Sequence, residues 1–237
     1  MRTQAVRLLT GGVMCWLACG AAAAQAVADG KSDAASAAVT LARAKGQQEA
    51  GQFAQAIDGY RAILARDPDQ TDARLGLATS LGAAKRTAEA LEAFQELLRR
   101  EPEHARAHLL LGELYLYQQR QYDQALDQFA LATRATDAAT RGLALEQAGD
   151  VQMLVKRDWL RAAALYRRVL TIWPNHVKTH YNLGACLANL NQPNEAVTEM
   201  EVVIKLSSKA RTPELATRAQ EAIAAIRTKQ ETSQPAG

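Results

Sequence analysis

A step of 34 residues runs through this chain. It separates Pro68 from Pro102, Ala56 from Ala90, and Tyr60 from Phe94; later it separates Ala162 from Ala196 and Tyr166 from Met200. A unit this short cannot bury a core by itself, so its copies must stack and share one. Composition says what the units are made of. With 49 Ala and 29 Leu in 237 residues, and aromatics at only 5%, the chain is rich in strong helix formers and poor in the side chains that sheets favour. That excludes an all-β sandwich or barrel and argues against a doubly wound α/β enzyme. A hydrophobic content of 48% at net charge +3 also argues against a disordered chain.

The residues at each step form a pattern. Residues 177–208 supply His180, Leu183-Gly184, Leu187, Ala196 and Met200. Residues 105–138 supply His108, Leu111-Gly112, Tyr115, Ala125 and Phe129, and 71–104 supply Leu77-Ala78, Leu81, Ala90, Phe94 and Pro102. Residues 143–176 give Gly149-Asp150, Met153, Ala162, Tyr166 and Pro174, while 37–70 match only in Phe53, Ala56, Tyr60 and Pro68. This pattern resembles the tetratricopeptide repeat: a large apolar residue at position 4, Leu-Gly at 7–8, Ala at 20, an aromatic at 24, Pro at 32. The resemblance implies an all-α fold, a right-handed superhelix (α-solenoid) of five helix pairs. Small residues let paired backbones approach, and the proline closes each second helix.

Two departures interrupt the step. One extra residue falls in the turn around Arg120-Gln121, and residues 133–142 lack the proline and hold a surplus between Ala125 and Ala162. The second predicts a loosened joint. After residue 208, Thr212-Pro213-Glu214 reads as an N-cap, a first-turn proline and an acid. Leu215, Ala219, Ala222, Ile223 and Ile226 then predict a capping helix within 209–229, followed by a disordered polar tail over 230–237.

The N-terminus is different. Arg2 and Arg7 precede an uncharged run from Leu8 to Ala24 that ends in small residues, so residues 1–24 read as a cleaved secretory signal and 25–36 as a flexible tether. Two alternatives stay open, lipidation at Cys19 after Leu17-Ala18 or an uncleaved anchor, and the chain would touch a membrane only through this N-terminal segment. Removal of residues 1–24 leaves 26 basic against 25 acidic residues, so the charge does not point to nucleic acid. It also leaves Cys186 as the sole cysteine, which excludes an intramolecular disulfide. The alanine excess suggests a GC-rich bacterial genome, and with the leader it places the chain in the periplasm, secreted, or on the outer membrane as a lipoprotein.

Candidate chemistry is thin. His104/His108 and His176/His180 each put two rings on one helix face, but there is no HExxH arrangement and no third ligand, so they read as packing residues and no metal or cofactor is expected. Cys186 reads as a small buried hydrophobe, and Glu146, Asp150 and Asp158 as solvated or capping groups. No phosphate loop or nucleophile elbow is present, so no enzyme activity and no small-molecule substrate are expected.

What the resemblance implies instead is a partner-binding groove lined by the first helix of each pair. Here that assigns Arg106, Leu109, Glu113, Leu116, Tyr117, Gln147, Val151, Leu154, Lys178, Tyr181, Asn182 and Asn189. Apolar and aromatic groups with isolated polar ones suit a peptide segment of another protein. Lys178 and Asn182 match part of the carboxylate clamp of some family members, but the matching residues of earlier units are absent. The expected function is a non-catalytic interaction scaffold of the bacterial envelope that supports assembly or secretion components. The alternatives are a pilotin-like lipoprotein, if Cys19 is lipidated, and the substrate-presenting subunit of an envelope enzyme.

Overall fold

The computed structural model describes residues 37–210 and 213–233, and every element among them is helical. The leader, its Cys19 and the Thr212 cap lie outside the described residues. The chain divides into two compact units, one ending at Ala93 and the other beginning at Phe94.

The first unit holds α1 (37–49), α2 (Phe53–Arg66), α3 (Thr71–Ala83) and the start of α4 (Thr87–Arg100). Ala44, Ala56, Tyr60, Ile63 and Ala73 form its core, with Leu41, Leu64 and Leu77 packed around them. Exposed ion pairs link Lys45 to Asp72 at 2.7 Å and Arg61 to Glu89 at 3.0 Å.

The second unit begins within α4 and continues through three antiparallel hairpins and a last helix. The first hairpin is α5 (Ala105–Leu114), prolonged by a π turn at Tyr115–Gln119, with α6 (Tyr122–Ala132). The second is α7 (Ala138–Val151), prolonged by a π turn at Gln152–Lys156, with α8 (Trp159–Ile172). The third is α9 (Val177–Asn189) with α10 (Pro193–Ala210), against which α11 (Pro213–Ser233) packs.

The glycines show why these helices pair as they do. A Cβ on Gly112 would lie 2.6 Å from the Phe129 ring, and one on Gly149 would lie 2.8 Å from the Tyr166 ring. An aromatic side chain of the second helix thus rests on the bare backbone of the first, which only glycine permits. Each turn from first to second helix then needs one left-handed residue: Gly51, Lys85, Arg120, Arg157 and Asn191 have φ of 74°, 62°, 53°, 54° and 58°.

Both sequence departures are resolved by helix rather than by loop. The extra residue before Arg120 is absorbed by the Tyr115–Gln119 π turn, whose exit is closed by Gln121 N–H donating to Tyr115 O at 3.0 Å. The surplus placed at 133–142 lies mostly in α7 and its π turn, which together run 138–156 against 105–119 for α5. The connection is held firmly, against the loosened joint expected. Asp137 accepts the Thr140 N–H at 2.7 Å, Arg141 donates to Ala135 O at 2.7 Å, and the Trp173 ring lies where a Cβ on Gly142 would sit. The tail differs too: α11 continues to Ser233, with Gln230 donating to Asn194 at 3.3 Å.

Candidate functional site

The first helices α5, α7 and α9 of the second unit lie side by side, and side chains bridge them. From α5, the Tyr117 hydroxyl donates to Gln147 Oε1 on α7 at 2.9 Å. From α9, Lys178 reaches Glu146 at 3.0 Å and Asp150 at 2.9 Å, both on α7. These contacts define one inner face.

The two π turns shape it. Each residue of a helix turns by about 100°, and one extra residue in a turn swings a side chain out of the interior stripe. Tyr117 is the third residue of the first π turn and Leu154 the third of the second; they are 65% and 69% exposed. Two large apolar groups therefore stand at equivalent places in successive hairpins. Leu143, one turn into α7, is also exposed and borders a cleft of about 540 Å³ lined by Ile172, Trp173, Pro174 and His176.

The expected groove residues fall into three sets. Arg106, Tyr117, Leu154, Lys178 and Asn189 are exposed, and Glu113, Leu116, Gln147 and Tyr181 are partly covered. Leu109 and Val151 are buried with Phe129 and Ala132 and offer nothing to a partner, while Asn182 is buried beneath Asp150. Several of the visible ones are already engaged. Arg218 of α11 sits 5.2 Å from the centre of the Tyr181 ring, and Asn189 donates to Ala185 O at 2.9 Å in its own helix.

Glu146 and Asp150 stand on the inner face beside Gln147, whereas Val151, expected there from the sequence, is buried. A count backward from Ala162 crosses the residue that the π turn absorbs and shifts the register of α7 by one. The signal was present: Gly149 precedes Ala162 by 13 residues, as Gly112 precedes Ala125, whereas Gly184 precedes Ala196 by 12.

Electrostatics sharpen the picture. Burial works against the charge of Lys178, but its hydrogen bonds to Asp150 and Glu146 outweigh that and hold its pKa above the ordinary lysine value. Tyr166 also donates to Asp150 at 2.7 Å; burial first, and that carboxylate second, push its hydroxyl far above the usual phenol range. Burial alone raises the Glu113 carboxyl.

The histidines are structural donors and caps. His104 Nδ1 accepts the Ala107 N–H at 3.1 Å, and His176 Nδ1 lies 2.7 Å from Thr179 Oγ1. His108 Nε2 donates to Pro102 O at 2.8 Å, and His180 Nε2 to Pro174 O at 2.9 Å. Asp158 caps α8 by accepting the Arg161 N–H at 3.0 Å.

Helical hairpins with an aromatic ring laid on a glycine, a left-handed residue at each tip and a small core between pairs define a tandem-repeat protein. Residues 41–92 and 75–140 match the tetratricopeptide repeat family. The match spans residues 41–140, less than half of the chain, and over them the chain is similar to the tetratricopeptide-repeat proteins. Among solved structures, MamA is 18% identical and aligns over 71% of this chain and 96% of its own, with a TM-score of 0.62. Pseudomonas aeruginosa pilF is 17% identical over 84% of this chain and 97% of its own, with a TM-score of 0.63. Yeast Tom70 is 19% identical over 84% of this chain but only 42% of its own, with a TM-score of 0.65. At such identities the likeness is one of fold. No curated protein sequence matches the chain.

Proposed function

We propose that the chain is a non-catalytic interaction scaffold of the bacterial envelope, which holds a peptide segment of a partner protein on the inner face of α5, α7 and α9. The observation that carries this reading is the pair of exposed apolar side chains, Tyr117 and Leu154, raised by equivalent π turns. Exposing two large apolar groups beside polar ones is costly in a free chain and becomes favourable when a partner covers them. The envelope location rests on residues 1–24, with their basic start and uncharged run.

Cross-linking pull-down from the envelope fraction, using the full chain with Tyr117→Ala and Leu154→Ser, tests the reading. Partner recovery falls roughly tenfold, the loss of one or two anchors of about 1 kcal/mol or more each, while helical circular dichroism is unchanged. Equal recovery from variant and parent counts against it. A second reading rests on Leu17-Ala18-Cys19-Gly20: a lipid on Cys19 makes the chain an outer-membrane lipoprotein. The mass of the mature N-terminus separates the two, because a free terminus at Gln25 excludes the lipid.

A further inference from the structure

Asp150 stands in the last turns of α7 with donors from two other helices turned on its carboxylate. The Tyr166 hydroxyl of α8 donates to Oδ1 at 2.7 Å, and Asn182 Nδ2 of α9 donates to the same oxygen at 3.1 Å. Lys178 Nζ, also from α9, donates to Oδ2 at 2.9 Å. Asn182 Nδ2 lies 3.3 Å from the Tyr166 hydroxyl as well, so the two neutral donors are tied to each other. Tyr166 is fully buried and Asn182 is 8% exposed, which leaves neither free to turn toward another acceptor. The Asp150 side chain retains 19% exposure and that of Lys178 retains 53%, so this cluster forms the floor of the inner face.

A phenol, a buried amide and an ammonium converging on one point make the donor set of a carboxylate site. Here the chain fills that site itself. We infer that Asp150 is a built-in carboxylate that occupies the anion-binding position of the inner face, so that the partner segment presents no carboxylate there, from its C-terminus or from an acidic side chain. A visiting carboxylate would meet Asp150 and Glu146, two like charges, with the buried donors Tyr166 and Asn182 already turned on Asp150, and would lose hydration for little return. A segment taken from inside a partner's chain, with amide, apolar or basic groups facing α7 and α9, meets no such penalty. This inference rests on the inner-face reading for its partner, but the vacated site can be tested without one.

The test uses the full chain with Asp150→Gly, which empties the position, and Asp150→Asn, which keeps its size. Thermal unfolding is followed in sodium acetate and in sodium chloride at equal ionic strength. Acetate raises the Tm of Asp150→Gly relative to chloride and leaves the parent and the still-filled Asp150→Asn unmoved, as expected for a small anion binding the vacated donors. Three labelled peptides identify the excluded group: one with a free C-terminus, its amide, and an amide with an internal Glu. The two carboxylate peptides gain about tenfold in affinity on passing from parent to Asp150→Asn, while the plain amide does not. Acetate that leaves Asp150→Gly unshifted, or shifts parent and variants alike, overturns the inference, as does a parent that prefers the free-acid peptide to its amide. Equal partner capture by Tyr117→Ala sinks the inner-face reading and leaves the acetate result standing.

Discussion

The fourth residue of each first helix from α3 to α9 does one job in two chemistries. Arg74, His108, Arg141 and His180 donate to the carbonyl six residues earlier, at Pro68, Pro102, Ala135 and Pro174. A carbonyl at a tight connection has no helical partner, and a buried donor satisfies it. The two histidines fall 72 residues apart in the sequence, a spacing that marks them as packing residues of equivalent positions. The carbonyl partner was not legible, because it depends on how the connection folds back. Arg141 was missed altogether, since its connection lacks the proline. At the same scale Cys186 is fully buried, and burial first, with the Asp150 charge second, pushes its thiol up to about 12 from an ordinary 9.0. Below the unfolded value the thiol is neutral in both states. Above it, only the unfolded chain gains by ionising, so stability falls as the pH rises from about 9 toward 12. Native Cys186 is expected to resist iodoacetamide at pH values near 8 and to react at once in urea. Rapid native alkylation would contradict the raised thiol.

At the scale of the element, helix starts were readable and helix lengths were not. Prolines at the first positions of α10 and α11 mark their beginnings, since that residue needs no N–H partner. The π turns left no comparable residue signature; only the Gly-to-Ala spacing betrays them. They end in Arg120 and Arg157, which hold φ of 53° and 54°. A left-handed backbone costs a side-chain-bearing residue about 1 kcal/mol that glycine does not incur. Arg120→Gly and Arg157→Gly are therefore each expected to stabilise the protein by about 1 kcal/mol, seen as a higher urea midpoint at unchanged slope. A lower midpoint would mean that the arginine side chains hold the turns by contacts stronger than this strain.

For the whole molecule, the last helix has the clearest task. Met200 and Val203 of α10 pack with Ala219 and Ile223 of α11, with Leu215 and Ala222 alongside. A stacked array needs such an end, because the outer face of its last hairpin is as apolar as its inner ones. A chain shortened to residues 1–210 is expected to lose several degrees of Tm and to self-associate with rising concentration in analytical ultracentrifugation. A monomer of parental stability would show that α11 is dispensable to the fold.

The sequence by itself determined that this protein is built of helical hairpins. Small residues, aromatics and prolines at a 34-residue step are a local code, and each pair of helices reads it without reference to distant parts of the chain. The tertiary structure decided which residues of α7 face Lys178 of α9. An inserted residue can enter a loop, where it changes little, or a helix, where it displaces the count by about 100°. The chain took the second course at Gln152–Lys156, and that choice set Glu146 and Asp150, rather than Gln147 and Val151, against Lys178.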